Sequence, residues 1–301
     1  MINSQNRCIG TIVKGIGGFY YVSTGEEIIE CHARGKFRKN DLSPIVGDTV
    51  TLLLNEDGTG SISTIHERKN FLVRPDVANV DILVLVSAMR SPMPDFMLID
   101  KLLVTAQSKG IECVICLNKT DLAQSDEIEE FASVYKKAQY KVIVASAKTG
   151  EGVKEIQSLI KGKTVAFAGL SGVGKSSLLK RITGVDLKTG SVSKIERGKH
   201  TTRHVELYTL ENGGKIADTP GFSTFETESY AVIPPNELAD CFPELREVEE
   251  PCRYGDCRHL HEPDCAIRKA VAAGEIPESR YESYVIMLEE AMKQKSWEQK
   301  K

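Results

Sequence analysis

The sequence predicts a multidomain protein in which a small β-barrel precedes an α/β core and a helical tail. Three observations support this prediction. Short strand patterns fill residues 8–67, apolar strands alternate with amphipathic helices from residue 80 onward, and prolines punctuate the region after residue 225. A chain of 301 residues is long enough for two or three domains. We therefore expect the domains to span residues 1–68, 69–225 and 226–301.

The composition is that of an ordinary globular chain. It has 39 basic and 42 acidic residues, a net charge of −3, and 41% hydrophobic residues, which excludes wholesale disorder. Its apolar runs, such as residues 82–86, are far shorter than the roughly 20 residues of a membrane helix. The first residues lack the basic start and apolar core of a secretory signal. We therefore expect a cytoplasmic protein with no membrane association.

The first domain is expected to contain five short strands, at residues 8–17, 19–24, 27–33, 48–54 and 61–67. Turn signals rich in Gly, Asp and Asn separate them. Five strands in about 60 residues favour the OB-type barrel. A basic run with one aromatic residue, RGKFRK at 34–39, lies between the third and fourth strands. Phosphate contact and a solvated loop are both open interpretations of this run.

The second domain alternates apolar strands with amphipathic helices. Strands are expected at residues 80–88, 113–117, 142–146 and 164–168, with helices at 96–108, 127–138, 153–160 and 175–182. This alternation indicates a parallel sheet covered on both faces, extended by strands near 205–210 and 216–217. Cys113 and Cys116 fall in an apolar strand, where a buried pair is favoured over a redox or metal site.

A phosphate-binding loop is predicted after the strand at 164–168. The sequence GLSGVGKS at 169–176 matches the pattern GxxxxGK[ST] between a strand and a helix. Backbone N–H groups and the helix N-terminus would bind phosphate, Lys175 would reach the β- and γ-phosphates, and Ser176 would bind Mg²⁺. The predicted contact residues are Gly169, Leu170, Ser171, Gly172, Val173, Gly174, Lys175, Ser176 and Ser177.

Three further motifs identify the nucleotide as GTP. In NKTD at 118–121, Asp121 can accept both N–H donors of a guanine edge, while Asn118, Lys119 and Thr120 complete the loop. The backbone of Ser146, Ala147 and Lys148 suits the guanine O6. In DTPG at 218–221, Asp218 can hold Mg²⁺ through water and Gly221 can sense the γ-phosphate. Each motif follows a predicted strand, where ligands of open α/β sheets bind.

The order of these motifs is permuted relative to Ras-like GTPases. The guanine motifs at 118 and 146 precede the phosphate loop at 169, and DxxG follows at 218. The same sheet can be built if the chain is circularly permuted. The segment after DxxG then leads straight into the tail, so a nucleotide-dependent shift at 218–221 can move the residues from 225 onward.

A group of cysteines and histidines in the tail predicts a metal site. Cys252, Cys257 and Cys265 lie around His259 and His261, and in a reducing compartment such a cluster favours a metal over disulfides. Structural zinc takes four nitrogen or sulfur ligands. The spacing supplies three cysteines and one histidine, and on spacing alone His259 is favoured only slightly over His261. A tail with few predicted core residues would need such a metal site to stabilise its fold.

The permuted motifs, the preceding barrel and the following Cys/His cluster closely resemble the RsgA (YjeQ/YloQ) family over essentially the whole chain. The resemblance implies an N-terminal OB-type β-barrel, a circularly permuted α/β P-loop GTPase core and a C-terminal helical zinc-binding domain. It also implies late maturation of the small ribosomal subunit, contacts with 16S rRNA near the decoding centre, and GTP hydrolysis stimulated by that subunit. The expected partners are the small subunit, GTP and GDP, and we expect a monomer.

The resemblance also carries individual residues. It implies that Cys252, Cys257, His259 and Cys265 bind zinc. The segment 197–202 resembles the family's switch I, with either Thr201 or Thr202 as the hydroxyl that senses Mg²⁺; the choice between the two is open.

The attacking water has no obvious partner in the DxxG motif. Phe222 occupies the position where Ras carries a water-orienting Gln, and a phenyl ring cannot serve in that role. His200 is the candidate for this role, and an exposed loop histidine is the alternative interpretation.

Three functions are compatible with the sequence. The main hypothesis is a ribosome-assembly GTPase. The second is an RNA-binding factor for which GTP is only a structural ligand. The third is a GTPase acting on a non-ribosomal protein or membrane partner. The basic residues at 34–39, together with Lys194, Arg197, Lys199 and Arg203, favour RNA weakly.

Overall fold

The structure is a computed structural model that describes residues 7–33, 37, 43–73, 76–184, 205–218 and 233–298. Two compact units make up the chain. One contains the N-terminal strands, residues 157–167 and residues 205–218. The other contains residues 83–156, 168–184 and 233–298. Among the described residues, none of the helices has both the length and the apolar composition that a membrane span requires.

The N-terminal residues form the predicted five-stranded barrel. Its strands are β1 (Arg7–Ile16), β2 (Phe19–Ser23), β3 (Ile28–Ala33), β4 (Thr49–Leu54) and β5 (Gly60–Ile65). The pairing order is β1-β2-β3-β5-β4, with β4 returning to β1 and β3 parallel to β5. Alternate side chains of these strands fill the interior, among them Ile12, Val22, Val50, Leu52 and Ile62. Among the described strands of the barrel, this closure leaves no free sheet edge.

A short hairpin that the sequence analysis did not predict follows the barrel. It consists of β6 (Phe71–Val73) and β7 (Asp76–Ala78), which pair antiparallel. The buried carboxylate of Asp48 accepts two bonds from Arg68, at 2.7 and 2.9 Å, just before this hairpin. Strands of three residues are too short to give a periodic pattern, so only tertiary contacts define them.

The α/β elements follow with the predicted alternation. They are β8 (Ile82–Ala88), α1 (Phe96–Gln107), β9 (Glu112–Asn118), α2 (Ser125–Lys137), β10 (Lys141–Val144), α3 (Val153–Ile160), β11 (Thr164–Ala168), α4 (Lys175–Thr183), β12 (Glu206–Thr209) and β13 (Lys215–Asp218). Every residue of β8 is buried, as expected for a strand covered on both faces. Cys113 and Cys116 are both buried in β9, as predicted.

Each of the two units contains a parallel strand pair, in agreement with the predicted alternation of strands and helices. Strands β9 and β10 are parallel, and so are β11 and β13. Strands β12 and β13 form an antiparallel hairpin, and β12 pairs with β1 of the barrel within the same unit. An ion pair of 3.1 Å between Lys14 and Glu206 supports this junction of β1 and β12.

The tail is helical and has a larger core than its composition indicated. It contains α5 (Pro243–Arg246), α6 (Ala266–Ala272) and α7 (Glu278–Glu298). Its buried residues include Leu238, Phe242, Leu245, Tyr284, Met287 and Leu288, and the same cluster includes Val104 of α1. The tail therefore shares its hydrophobic core with the α/β elements of its own unit.

A fully buried ion cluster joins the tail to that unit. The guanidinium of Arg280 on α7 lies 2.6 Å from Asp100 of α1 and 2.6 Å from Glu244 of α5. Tyr135 of α2 donates a hydrogen bond of 3.1 Å to Asp100, and the Phe242 ring lies 4.7 Å from the guanidinium carbon. Because two carboxylates share one cation, each element depends on the placement of α7.

Candidate functional site

The phosphate loop connects β11 to α4, as predicted. Its first glycine, Gly169, has φ +139, and a Cβ there would overlap with the carbonyl oxygen of Val86, so only glycine fits. The ammonium of Lys175 donates to the carbonyl oxygens of Gly169 and Leu170. The exposed hydroxyls of Ser176 and Ser177 lie in the first turn of α4. This arrangement places a cation, two hydroxyls and a helix N-terminus together, which suits a polyphosphate and its Mg²⁺.

Residues 118–121 form the guanine loop. Asn118 connects this loop to the phosphate loop and to residues 146–148. Its side-chain amide nitrogen donates to the carbonyl oxygen of Val173 at 2.8 Å, and its amide oxygen accepts from the backbone of Ala147 at 3.0 Å. The residue is buried, so both bonds are shielded from water. Thr120 adds a bond of 2.9 Å from its hydroxyl to the carbonyl of Ala145. Three segments that are far apart in sequence are thereby held in one arrangement.

The carboxylate of Asp121 is oriented by residues 146–148, the SAK segment. Ser146 donates to it through its hydroxyl at 2.7 Å, and the ammonium of Lys148 lies 3.7 Å away. The hydrogen bond from Ser146, more than the charge of Lys148, lowers the pKa of Asp121 below its ordinary value. The ionised carboxylate still has lone pairs available, so it can accept two N–H donors from a flat ring such as guanine.

A cavity of about 360 Å³ lies between these loops. Its lining comes from the guanine loop, the SAK segment and the phosphate loop: Asn118, Lys119, Asp121, Leu122, Ala147, Lys148, Gly174 and Ser177. Oriented acceptors at one end and the start of α4 at the other match a base followed by phosphates. The structure therefore brings together the residues predicted from the three motifs at 118–121, 146–148 and 169–177.

One segment at this site was not identified from the sequence. The ammonium of Lys119 donates to the carbonyl oxygen of Ser91 at 2.5 Å, and Lys119 itself has φ +59. In the same segment, Arg90 makes an ion pair of 2.5 Å with Glu127. The run RSPMP at 90–94 lies between β8 and α1, and nothing in these residues indicates a contact with the guanine loop.

Several predicted residues lie outside the described part of the chain. These are His200, Thr201, Thr202, Gly221 and Phe222, the basic residues of segment 185–204, and Arg34, Lys36, Arg38 and Lys39. Asp218 is the last residue of β13, and its side chain is also outside the description.

The tail brings three cysteines and one histidine together. The ligand atoms of Cys252, Cys257, His259 and Cys265 all lie within 4.8 Å of one another. His259 Nδ1 is 3.5 Å from the sulfurs of both Cys252 and Cys265, and those two sulfurs are 3.9 Å apart. Metal–sulfur bonds of about 2.3 Å in tetrahedral geometry require sulfur–sulfur separations of about 3.8 Å. The cluster therefore fits a tetrahedral metal ion.

The histidine in this group is His259, whereas His261 is exposed and stands apart from the possible metal ligands found among the described residues. Burial lowers the pKa of His259 and so favours the neutral imidazole, the form that binds a metal.

Comparison with known families gives two matches along the chain. The model of the RsgA N-terminal domain matches residues 9–62, which contain most of the barrel. The model of the RsgA GTPase matches residues 65–228, which contain all the nucleotide motifs. Together the two models cover the chain from β1 to the DxxG motif.

Individual relatives agree with these matches. The small ribosomal subunit biogenesis GTPase RsgA of Caldanaerobacter subterraneus subsp. tengcongensis is 48% identical over 95% of this chain and 96% of that protein. The protein of the same description from Alkaliphilus metalliredigens is 44% identical, over 96% of this chain and 99% of its own.

Solved structures show the same fold. The crystal structure of YjeQ from Thermotoga maritima has a TM-score of 0.81 and 38% identity, and it covers 95% of this chain and 99% of its own. The structure of YloQ, described as a circularly permuted GTPase, has a TM-score of 0.81 and 36% identity, covering 98% of each chain. The barrel, the permuted motif order and the tail cluster thus have one explanation: this chain belongs to the RsgA family of circularly permuted GTPases.

Proposed function

We propose that this chain acts in small ribosomal subunit biogenesis, where it hydrolyses GTP to GDP and phosphate. The observation that carries the proposal is the cavity of about 360 Å³ described above. There Asn118 connects the loop proposed to bind the base to the loop proposed to bind the phosphates. The assignment to small-subunit biogenesis rests on the relatives, which are described as small ribosomal subunit biogenesis GTPases.

In the proposed reaction, the described residues bind and orient the nucleotide. Asp121 would hold the guanine edge, and the backbone amides of residues 146–148 would face O6. On nucleotide binding, Lys175 exchanges its two carbonyl acceptors for β- and γ-phosphate oxygens. We propose that Mg²⁺ is held by the side chains of Ser176, Asp218 and either Thr201 or Thr202. The ion would neutralise charge developing on the phosphates.

The water that attacks the γ-phosphate needs a group to orient it. Phe222 cannot do this, and we propose that His200 does so when the chain is bound to the small subunit. Gly221 would report the γ-phosphate to the chain that leads into the tail. Lys175, Thr201 and Thr202 would support the transition state through phosphate and Mg²⁺.

The barrel is the proposed contact with 16S rRNA. The ring of Phe19, 40% exposed, lies 4.5 Å from the ring of His32, which stands directly opposite it on β3. Exposed rings of this kind can stack on unpaired bases. The basic run at 34–39 follows β3 directly and would supply phosphate contacts.

The remaining parts of the proposal concern organisation. The domains are proposed to span residues 1–68, 69–225 and 226–301. The ion at Cys252, Cys257, His259 and Cys265 is proposed to be one structural zinc, because three sulfurs and one nitrogen form a closed tetrahedral set. We further propose a cytoplasmic monomer, since the small subunit on which it would act is cytoplasmic.

Co-sedimentation with purified ribosomal subunits tests the proposed partner. We expect the chain to sediment with small subunits in the presence of a non-hydrolysable GTP analogue and to be released with GDP. Large subunits are the control and should retain little protein. Equal retention by both subunits, or by neither, would contradict the proposal and favour a non-ribosomal partner.

A further inference from the structure

We propose that Glu262 is a positioning residue for the tail metal site, where its carboxylate fixes the backbone that presents His259. The inference rests on the zinc proposed above. Glu262 is not a ligand in the cluster of Cys252, Cys257, His259 and Cys265, so it would act through His259.

The carboxylate of Glu262 accepts three backbone N–H groups from the segment between Cys257 and Glu262. One oxygen accepts from Arg258 at 2.9 Å, and the other accepts from Leu260 at 2.8 Å and from His261 at 3.1 Å. Partial burial raises the pKa of Glu262, but the backbone donors outweigh it and lower the value to about 2. An ionised carboxylate therefore closes a tight loop around His259.

This loop has an unusual backbone that needs such support. His259 has φ +61, in the left-handed region that a residue with a Cβ seldom adopts. Its Nδ1 atom nevertheless lies 3.5 Å from two ligand sulfurs. Because the ring is attached to a strained peptide, small changes in backbone direction would move Nδ1 away from the metal. Glu262 holds the N–H groups on both sides of His259 in place.

Helix α7 holds the opposite side of the same loop. Tyr281 donates through its hydroxyl to the carbonyl oxygen of His259 at 2.6 Å, and Tyr284 donates to the carbonyl oxygen of Arg258 at 2.9 Å. The tyrosines can satisfy only carbonyl groups in this arrangement, because both donate. Glu262 is the acceptor for the N–H groups of Arg258, Leu260 and His261, so loss of its carboxylate leaves these donors to water.

The charge of Glu262 does not explain its position. Three thiolates and Zn²⁺ already carry a net charge of −1, and a further carboxylate adds repulsion rather than compensation. The role of Glu262 is therefore hydrogen-bond acceptance. This predicts a graded series of variants, because Gln keeps one oxygen acceptor while Ala keeps none.

The test compares zinc affinity in the full chain by competition with a chromophoric chelator. We expect Glu262→Ala to weaken zinc binding by about 10- to 100-fold, the usual effect of losing a group that orients a metal ligand. Glu262→Gln should give an intermediate affinity. Glu275→Ala, at an exposed carboxylate of the same tail, should bind zinc like the wild type. Cys257→Ser marks the effect of losing a true ligand.

Co²⁺ substitution and thermal melts distinguish positioning from other roles. Co²⁺ bound to Glu262→Ala should keep the absorption of a tetrahedral S₃N site, because the four ligands remain. A wild-type affinity for zinc in both Glu262 variants, with melting lowered equally with and without zinc, would show a purely structural role and overturn the inference. A Co²⁺ spectrum of Glu262→Ala that shows the loss of an oxygen ligand relative to the wild type would make Glu262 a ligand and also overturn it. A wild-type chain that binds no zinc would refute the proposed metal itself.

Discussion

Asn118 and Val173, which are 55 positions apart in the chain, are joined by a hydrogen bond of 2.8 Å from the Asn118 amide to the Val173 carbonyl. The bond connects the guanine loop after β9 to the phosphate loop before α4. In this permuted chain the guanine loop comes first, so the connection is made by folding and not by proximity in sequence. The base and phosphate halves of the site therefore form as one unit.

Gly174→Ala tests this connection. Gly174 has φ +93, and a Cβ there would overlap with the side-chain amide nitrogen of Asn118. The Asn118 amide group cannot easily move, because its nitrogen donates to Val173 and its oxygen accepts from Ala147. We expect GTP affinity to fall by about 100-fold or more, since both loops must separate. Gly184→Ala is the matched control: it also has positive φ, but its Cβ would meet nothing within 4 Å. Equal nucleotide affinity in the two variants would contradict the assigned geometry.

Asp121→Asn tests the guanine assignment. The variant loses an acceptor for the amino group of guanine but gains an N–H donor that suits the C2 carbonyl of xanthine. We expect GTP affinity to fall about 10-fold or more, and the variant to prefer xanthosine triphosphate. Nucleotide binding measured by titration calorimetry checks this, with exposed Asp126→Asn as control. An unchanged preference for GTP over the xanthine nucleotide would refute the role of Asp121.

Arg280→Met tests the ion cluster that joins the tail to α1. The substitution leaves the carboxylates of Asp100 and Glu244 buried without their cation, which should lower the free energy of unfolding by about 3–5 kcal/mol. Chemical denaturation measures the change. Arg253→Met, which breaks an exposed ion pair with Asp264, should cost less than about 1 kcal/mol. Similar losses in both variants would show that burial of the Arg280 cluster is energetically unimportant.

The regular elements could be predicted from the sequence because their signals are local. The helix Val153–Ile160 and the strand Thr164–Ala168 have the predicted bounds, and the phosphate loop follows that strand. Apolar periodicity and a motif of eight consecutive residues suffice for these features.

The features that were missed depend on residues far apart in sequence. Nothing in the sequence distinguishes Arg280 from other charged residues of a helix. Only the folded chain places its guanidinium between the carboxylates of Asp100 and Glu244. The contact of Lys119 with Ser91 likewise spans 28 positions and leaves no pattern. Glu262 lies inside the metal-ligand segment, but its backbone contacts follow from loop geometry that ligand spacing does not encode.

His200→Ala separates catalysis from binding. If His200 orients the water only on the ribosome, the variant should keep its nucleotide affinity and its basal hydrolysis. Turnover stimulated by small subunits should fall by about 10²-fold or more, the scale of a water-orienting group. Lys175→Met is the contrast, because Lys175 should affect binding and turnover together. If small subunits stimulate GTP turnover of His200→Ala normally, another group orients the attacking water. If the variant no longer binds small subunits, His200 is instead a residue that contacts the subunit.

Steady-state GTP hydrolysis by the wild-type chain, measured alone, with purified small subunits and with large subunits, tests the account most directly. We expect slow turnover alone, because Phe222 leaves the attacking water without an intrinsic partner. Small subunits should raise turnover by about tenfold or more, over multiple cycles, and large subunits should leave it unchanged. Turnover that is insensitive to small subunits, or that rises equally with large ones, would contradict a GTPase gated by the small subunit.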